Sequence, residues 1–167
     1  MANGYGVAFD TLIEYLDAEA ERWQQWLAKQ PPGALDVPVG TDDLSTVWRM
    51  LAHIAVVEYR YAQRLLDEPV TPYNAFRTGS LAGIFQIGEE ARQKLTAFLA
   101  SATESAFDEE ITFDTKVAGT VNASKRKILA HVLLHSVRHW AQLATVLRQN
   151  GYPQDWQHDF LFTEAMQ

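Results

Sequence analysis

Apolar side chains recur every three to four residues in four long segments of the chain. In the first segment, about residues 6–29, they are Phe9, Leu12, Ile13, Leu16, Ala20, Trp23 and Leu27. This spacing matches the α-helical turn and produces one continuous apolar stripe. The same pattern predicts helices from the segment 41–48 to about residue 67, over 80–102, and from about 124 to 150. Four amphipathic helices must bury their stripes against one another, so we expect an all-α four-helix bundle.

Turn-forming residues separate the predicted helices. The segment "KQPPGALDVPVG" ends the first helix because proline lacks an amide hydrogen and glycine favours turns. Asp42 and Asp43 in "TDDLSTVW" suit the positive end of the second helix. Before the last helix, "ITFDTKVAGTVNAS" places apolar residues on both sides of turn-like "DTK" and "AGT", which predicts a short β-hairpin or an extended loop. The tail "DWQHDFLFTEAM" is rich in aromatic residues, so we expect it to pack on the bundle.

Composition limits the classes of protein that remain. With 167 residues, 47% of them hydrophobic, the chain fits a single domain over 1–167. No apolar run approaches the roughly 18 residues of a membrane span, and the N-terminal segment is acidic and amphipathic rather than signal-like. We therefore expect a cytoplasmic protein with no membrane partner. The net charge of -7 and the scattered basic residues argue against a nucleic-acid partner, which needs a basic face.

The absence of cysteine restricts any metal site. It excludes disulfides, thiolate zinc sites, Fe–S clusters and a cysteine nucleophile, so nitrogen and oxygen atoms must supply the ligands. Three of the five histidines lie four residues apart in "HVLLHSVRHWAQLATVLRQNG". A helix turns by about 100° per residue, which places His135 and His139 on the apolar stripe and His131 with Gln142 on its shoulder. The same angles turn Trp140 and Arg148 away from the stripe.

The pair His135 and His139 has two interpretations. Imidazoles at positions i and i+4 lean to the same side of a helix and reach one metal ion, as in H-E-x-x-H proteases, although the glutamate of that motif is missing. Alternatively, the pair belongs to a buried polar network with water, or lines an open cleft. The number of buried imidazoles favours a metal ion, because each imidazole needs a partner for its polar nitrogens.

A third ligand has to come from elsewhere in the chain. His53 lies in the middle of the second helix, but the periodicity does not turn it firmly inward. Glu58 lies in the stronger apolar stripe, where an ion pair is the favoured alternative to metal binding. His158 lies among the aromatic residues of the tail, where we expect a surface or packing role. An acidic row on the first helix suits a solvated face better than a set of ligands; it consists of Asp10, Glu14, Asp17 and Glu21.

These motifs together resemble the DinB/YfiT-like family of four-helix-bundle metalloenzymes over nearly the whole chain. The resemblance rests on a histidine midway along the second helix, in "LAHIAVVEYRYAQRLL", and on His-x-x-x-His followed by Gln and "LRQNG" in the fourth. It implies a divalent metal ion held by His53, His135 and His139. His131 matches a histidine that is usually not a ligand. Many members have arginine directly after the last histidine, where this chain has Trp140.

The resemblance also implies a function. Three imidazole ligands leave coordination positions open, as catalytic sites do, and Zn²⁺ or Ni²⁺ suits them. The expected activity is that of a thiol-dependent S-transferase or a hydrolase, acting on a small-molecule substrate or with a low-molecular-weight thiol, in a possible homodimer. Gln142 and His131 are the candidates for residues that support the ligands: Gln142 either hydrogen-bonds a ligand or a metal-bound water, or is a helix-surface or loop-bonding glutamine. Arg60 and Arg64 either bind a carboxylate of the substrate or thiol, or are simply solvated. The alternative is a non-catalytic, stress-related binding or scaffold bundle with structural histidines.

Overall fold

The computed structural model describes residues 8–40 and 44–163 and contains four long helices, as the sequence predicts. In these ranges the elements are α1 Phe9–Leu27, α2 Val47–Leu65, α3 Leu81–Ser101, α4 Glu104–Asp108, β1 Glu110–Thr115, β2 Gly119–Ser124 and α5 Lys125–Gln149. The one-turn helix α4 was not predicted. Single 3-10 turns lie at Pro32–Ala34, Tyr73–Ala75 and Phe160–Phe162. None of the helices in these ranges has the length and apolarity that crossing a membrane requires.

Hydroxyl side chains cap the N-termini of the helices that form the site. Thr46 accepts a hydrogen bond from the backbone N–H of Arg49 at the start of α2. Ser124 does the same for Lys127 at the start of α5. Each cap satisfies a backbone donor that has no partner within the helix. The predicted contribution of Asp42 and Asp43 lies outside the described residues.

The order of the long helices around the bundle differs from a simple up-down-up-down arrangement. Helix α1 packs against α3 and α5, and helix α2 packs against the same two helices. Consecutive helices α1 and α2 therefore lie at opposite corners of the bundle. This arrangement makes α2 and α5 direct neighbours, so side chains midway along each helix face one another.

The segment before α5 is a β-hairpin rather than an extended loop. Strands β1 and β2 pair antiparallel, from Glu110 opposite Ser124 to Thr115 opposite Gly119. Gly119 follows the turn with a φ of 66°, a left-handed conformation that glycine adopts without steric cost. Ser124 ends β2 and caps α5, so the hairpin continues directly into the helix that carries the histidines.

Trp140 and the C-terminal tail both belong to the packed core of the bundle. Trp140, expected to point away from the stripe, is instead 6% exposed and stacks on Trp23 with ring centroids 5.4 Å apart. The expectation was wrong because α5 packs against both α1 and α2, so a single stripe underestimates its buried surface. The tail packs on the bundle as predicted: Trp156 and Phe160 contact the core, and the Tyr15 hydroxyl donates to the His158 carbonyl over 2.7 Å.

Candidate metal centre

Three histidines from two neighbouring helices converge on one point. His53 projects from the middle of α2, and His135 and His139 project from successive turns of α5. The Nε2 atom of His135 lies 3.2 Å from Nε2 of His53 and 3.1 Å from Nε2 of His139. One nitrogen from each of the three rings lies within 4.8 Å of the other two. His139 is buried, whereas His53 and His135 are half-buried, so the cluster borders on solvent.

The spacing of these nitrogens fits a shared divalent ion. Zinc–imidazole bonds of about 2.0–2.1 Å place two ligand nitrogens about 3.3–3.4 Å apart in a tetrahedron, and about 3.0 Å apart at a right angle. The separations of 3.1 and 3.2 Å lie at these values. A hydrogen on Nε2 of His135 points to only one of its two neighbours, whereas a cation satisfies all three lone pairs.

The protonation of the rings favours metal binding. Burial, with smaller contributions from His139, His53 and Arg138, lowers the pKa of His135 to about 3. Burial also lowers the pKa of His53 to about 4, again with contributions from His139 and Arg138. The pKa of His139 is lowered mainly by burial. The three imidazoles are therefore neutral at pH 7, and neutral imidazole is the form that binds a metal ion.

Gln142 fixes the orientation of one of the three rings. Nδ1 of His139 donates to Oε1 of Gln142 over 2.6 Å. Because Nδ1 carries the hydrogen in this contact, Nε2 carries the lone pair that faces the cluster. His135 has no such support, since its Nδ1 is buried without a hydrogen-bond partner in the described residues. Gln142 therefore contacts the ring that the sequence placed one turn before it, on the side away from the cluster.

Arg138 is a site residue that the sequence analysis missed. Its Nη2 lies 3.3 Å from Nε2 of His139, and its side chain is exposed at the mouth of the cluster. The positive charge of Arg138 lowers the pKa of His53, His131, His135 and His139. Helical angles place Arg138 beside the stripe rather than on it, but its position directly before His139 was a usable signal.

The other candidate ligands have different surroundings. The exposed His131 lies outside the group of three, with its ring 5.8 Å from His135 and 5.4 Å from Tyr61. Glu58 forms the predicted buried ion pair, accepting from Nη1 of Arg92 over 3.0 Å. The acidic row on α1 is exposed, as predicted.

His158 has the packing role that the sequence predicted for it. Its Nδ1 contacts the carboxylate of Glu19, and its ring stacks on Trp23 with centroids 5.5 Å apart. Glu19 is only 2% exposed and was not among the residues predicted from the sequence. Its position one turn before Trp23, on the apolar stripe of α1, was the signal that marks it as buried.

Comparison with known proteins places the chain in a family. No curated protein gives a match. Among solved structures, the chain is similar to YfiT from Bacillus subtilis, described as a probable metal-dependent hydrolase with an unusual four-helix bundle topology. The two share 20% sequence identity over 91% of this chain and 94% of YfiT, with a TM-score of 0.67, which establishes a common fold. The family model of the DinB family matches residues 1–167. The chain therefore belongs to the DinB family.

Proposed function

We propose that this protein is a metal-dependent enzyme whose divalent ion, Zn²⁺ or Ni²⁺, is held by His53, His135 and His139. The observation that carries the proposal is the convergence of three neutral Nε2 atoms from α2 and α5 at ligand spacing. Imidazole nitrogen suits both metals. The description of YfiT as a probable metal-dependent hydrolase supports hydrolysis as the first reaction class.

When bound, such an ion leaves coordination positions open and lowers the pKa of a water or thiol held there. The residues of the chain supply the rest of the site. Gln142 keeps the His139 ring in the tautomer that points its lone pair into the cluster. The guanidinium of Arg138 stands at the mouth, where it attracts negatively charged groups of a substrate.

The same site supports thiol transfer as a second reaction class. The chain has no cysteine, so a reacting sulfur has to come from a low-molecular-weight thiol. A thiol that loses its proton near neutral pH becomes a strong nucleophile, as a water does in hydrolysis. The two classes therefore share the metal site and differ in the nucleophile.

Metal analysis of tag-free protein tests the site directly. We expect about one divalent ion per chain in the wild type and less than a tenth of that in His135→Ala and His139→Ala, because two imidazoles alone hold the ion weakly. His158→Ala is the matched control and should keep the ion, since the His158 ring contacts Glu19 and Trp23 rather than the three clustered histidines. A wild type that binds neither zinc nor nickel contradicts the proposal.

A parallel screen separates an enzyme from a non-catalytic bundle. The metal-loaded protein is assayed for hydrolysis of p-nitrophenyl esters and for transfer of a small thiol to an electrophilic aromatic chloride. We expect turnover in one assay and its loss in His139→Ala. A metal-loaded protein that is inactive in both assays, and in a wider set of esters, amides and electrophiles, favours the binding or scaffold role.

A further inference from the structure

A cavity lies against α2, on the side that carries the hairpin. Its volume is about 80 Å³. Side chains of α2, the 3-10 turn Tyr73–Ala75, strand β1 and the hairpin turn line it, among them Arg60, Tyr61, Arg64, Tyr73, Phe113, Asp114 and Lys116. Three aromatic rings and two guanidinium groups thus surround one small space.

Both arginines are held in place by contacts that leave most of their donors free. Nη1 of Arg60 donates to the Thr71 carbonyl, and its guanidinium lies 4.0 Å from the Tyr73 ring centroid. Nη1 of Arg64 donates to the Arg60 carbonyl over 3.1 Å, and its guanidinium lies 4.7 Å from the Phe113 ring centroid. A guanidinium has five N–H donors, so these contacts position each group without satisfying it.

Neither arginine makes a salt bridge within residues 8–40 and 44–163. Arg92 and Arg126 each contact two carboxylates, whereas Arg60 and Arg64 are half-buried and contact none among the described residues. Two half-buried cations at one cavity are therefore open to an anion.

The two guanidinium groups also disfavour one another. Burial lowers the pKa of Arg64, and the neighbouring charge of Arg60 lowers it further. Asp114 lines the same cavity, but its carboxylate accepts from the Thr120 hydroxyl over 2.6 Å and forms no salt bridge with either arginine. Two like charges at a half-buried cavity cost stability unless an anion joins them.

The cavity lies on the same face of α2 as His53. Arg60 follows His53 by seven residues, which places the two on the same face of α2 and about 10 Å apart along the helix axis. Tyr61 forms the wall between them, because its ring packs against His131, whose ring lies 5.8 Å from His135. A molecule that spans about 10 Å and passes over the Tyr61 side chain reaches both the cavity and the cluster.

We propose that this cavity binds the oxyanion group, a carboxylate or a phosphate, of an organic substrate whose reactive part lies at the three histidines. Two guanidinium forks match the oxygen pairs of either oxyanion. The aromatic walls favour a substrate with an apolar or planar portion next to the charged group. The assignment of the reactive part rests on the proposed function, whereas the binding of the oxyanion does not.

Calorimetric titration with three matched probes tests the cavity. The probes are benzoate, phenyl phosphate and the neutral benzamide. We expect the wild type to bind one of the two anions at least tenfold more tightly than benzamide, and the tighter anion identifies the substrate group.

Arg60→Gln and Arg64→Gln should each weaken the binding of that anion at least tenfold, because each removes a charged guanidinium group. Arg64→Lys keeps the positive charge but loses the paired N–H donors of the guanidinium group. Its affinity for the anion should lie between those of the wild type and Arg64→Gln. Arg148→Gln, on the exposed end of α5, is the control and should bind like the wild type.

Thermal unfolding without ligand provides a readout that a merely structural role would not give. If the arginines only fastened the hairpin to α2, removing one would lower the melting temperature, and benzoate would not change it. We expect Arg64→Gln to melt at or above the wild type, since it relieves repulsion, and the tighter anion to raise the melting temperature of the wild type alone. Failure of both anions to bind the wild type, or equal binding in both glutamine variants, overturns the proposal.

Metal content separates this proposal from the proposed function. Both glutamine variants should retain the ion of the wild type, because neither arginine contacts the three histidines. A protein that holds no metal but still binds an anion through Arg60 and Arg64 would refute the metal-dependent function and leave the cavity assignment intact. A protein that holds the metal but binds neither anion would refute the cavity assignment and leave the metal-dependent function intact.

Discussion

His158 and the three clustered histidines are the same residue type in two different surroundings. Nδ1 of His158 contacts the buried carboxylate of Glu19, and the ring lies between Trp23 and Trp156, with centroids 5.5 and 4.6 Å away. The indole N–H groups of both tryptophans donate to the same carboxylate, over 2.9 and 3.1 Å. Glu19 therefore completes a closed polar network that joins the tail to α1.

The cluster of His53, His135 and His139 has no shared carboxylate acceptor among the described residues. Its rings contact one another, Gln142 and Arg138, and no carboxylate of the described ranges joins them. An unpaired ring nitrogen does not distinguish the two regions, because His158 Nε2 and His135 Nδ1 are both buried with no hydrogen-bond partner in the part of the chain that the structure describes. The difference is what lies at the centre: a carboxylate joins the side chains of the first region, whereas three imidazole nitrogens converge in the second with no carboxylate of the described ranges among them.

The largest effect on this comparison should come from Glu19→Ala. The substitution leaves the donors of Trp23, Trp156 and His158 without their shared acceptor. Each unsatisfied buried donor costs about 1–3 kcal/mol, so we expect the free energy of unfolding to fall by about 3–5 kcal/mol. Urea denaturation measures the loss.

Two further measurements make the Glu19 result decisive. Glu21→Ala, on the exposed side of the same helix, should change the free energy of unfolding by less than about 0.5 kcal/mol. The metal content of Glu19→Ala should equal that of the wild type. Loss of the ion in this variant would show that the two regions are coupled, and the contrast between them would fail.

Removal of the metal should have the next largest effect. An ion that binds only the folded state stabilises it by about 2.7 kcal/mol when its free concentration is 100 times the dissociation constant. A chelator should therefore lower the melting temperature of the wild type and of His158→Ala by the same amount. His135→Ala should melt at the same temperature with and without chelator. Chelator sensitivity that persists in His135→Ala would move the metal site away from α5.

The helices and the α5 half of the site were predictable because they depend on local pattern. Periodicity located four long helices and placed His135 and His139 on one stripe, one turn apart. His53 was different, since its own helix did not turn it inward. Its position beside His135 depends on α2 packing against α5, a consequence of the diagonal placement of α1 and α2. That order around the bundle is a non-local property, which the periodicity does not contain; the resemblance supplied His53 as a ligand without it.

Charged and polar residues were hardest to assign for the same reason. Arg60 and Arg64 were as consistent with a solvated face as with a binding role, because the hairpin and the turn at Tyr73 that enclose them come from distant parts of the sequence. Trp140 was misjudged because α5 packs against both α1 and α2. In each case the side chain's own helix was predicted, and its neighbours were not.

The smallest effect, and the sharpest test of the histidine cluster, should come from Gln142→Leu. Leucine cannot accept the hydrogen bond from Nδ1 of His139, so the ring loses the contact that sets its tautomer and angle. Loss of such outer partners typically weakens metal binding by about 10–100-fold, and we expect the lower end because Gln142 is exposed. Competition with a chromogenic chelator measures the affinity.

Gln149→Leu, exposed on the last turn of α5, controls for the loss of an amide and should not change the affinity for the metal. Gln142→Glu supplies a charged acceptor at the same position, which makes the imidazole a stronger ligand, so its affinity should rise. Unchanged affinity in both Gln142 variants would mean that this hydrogen bond does not orient a ligand, and the cluster would then differ from the His158 region by its lone pairs alone.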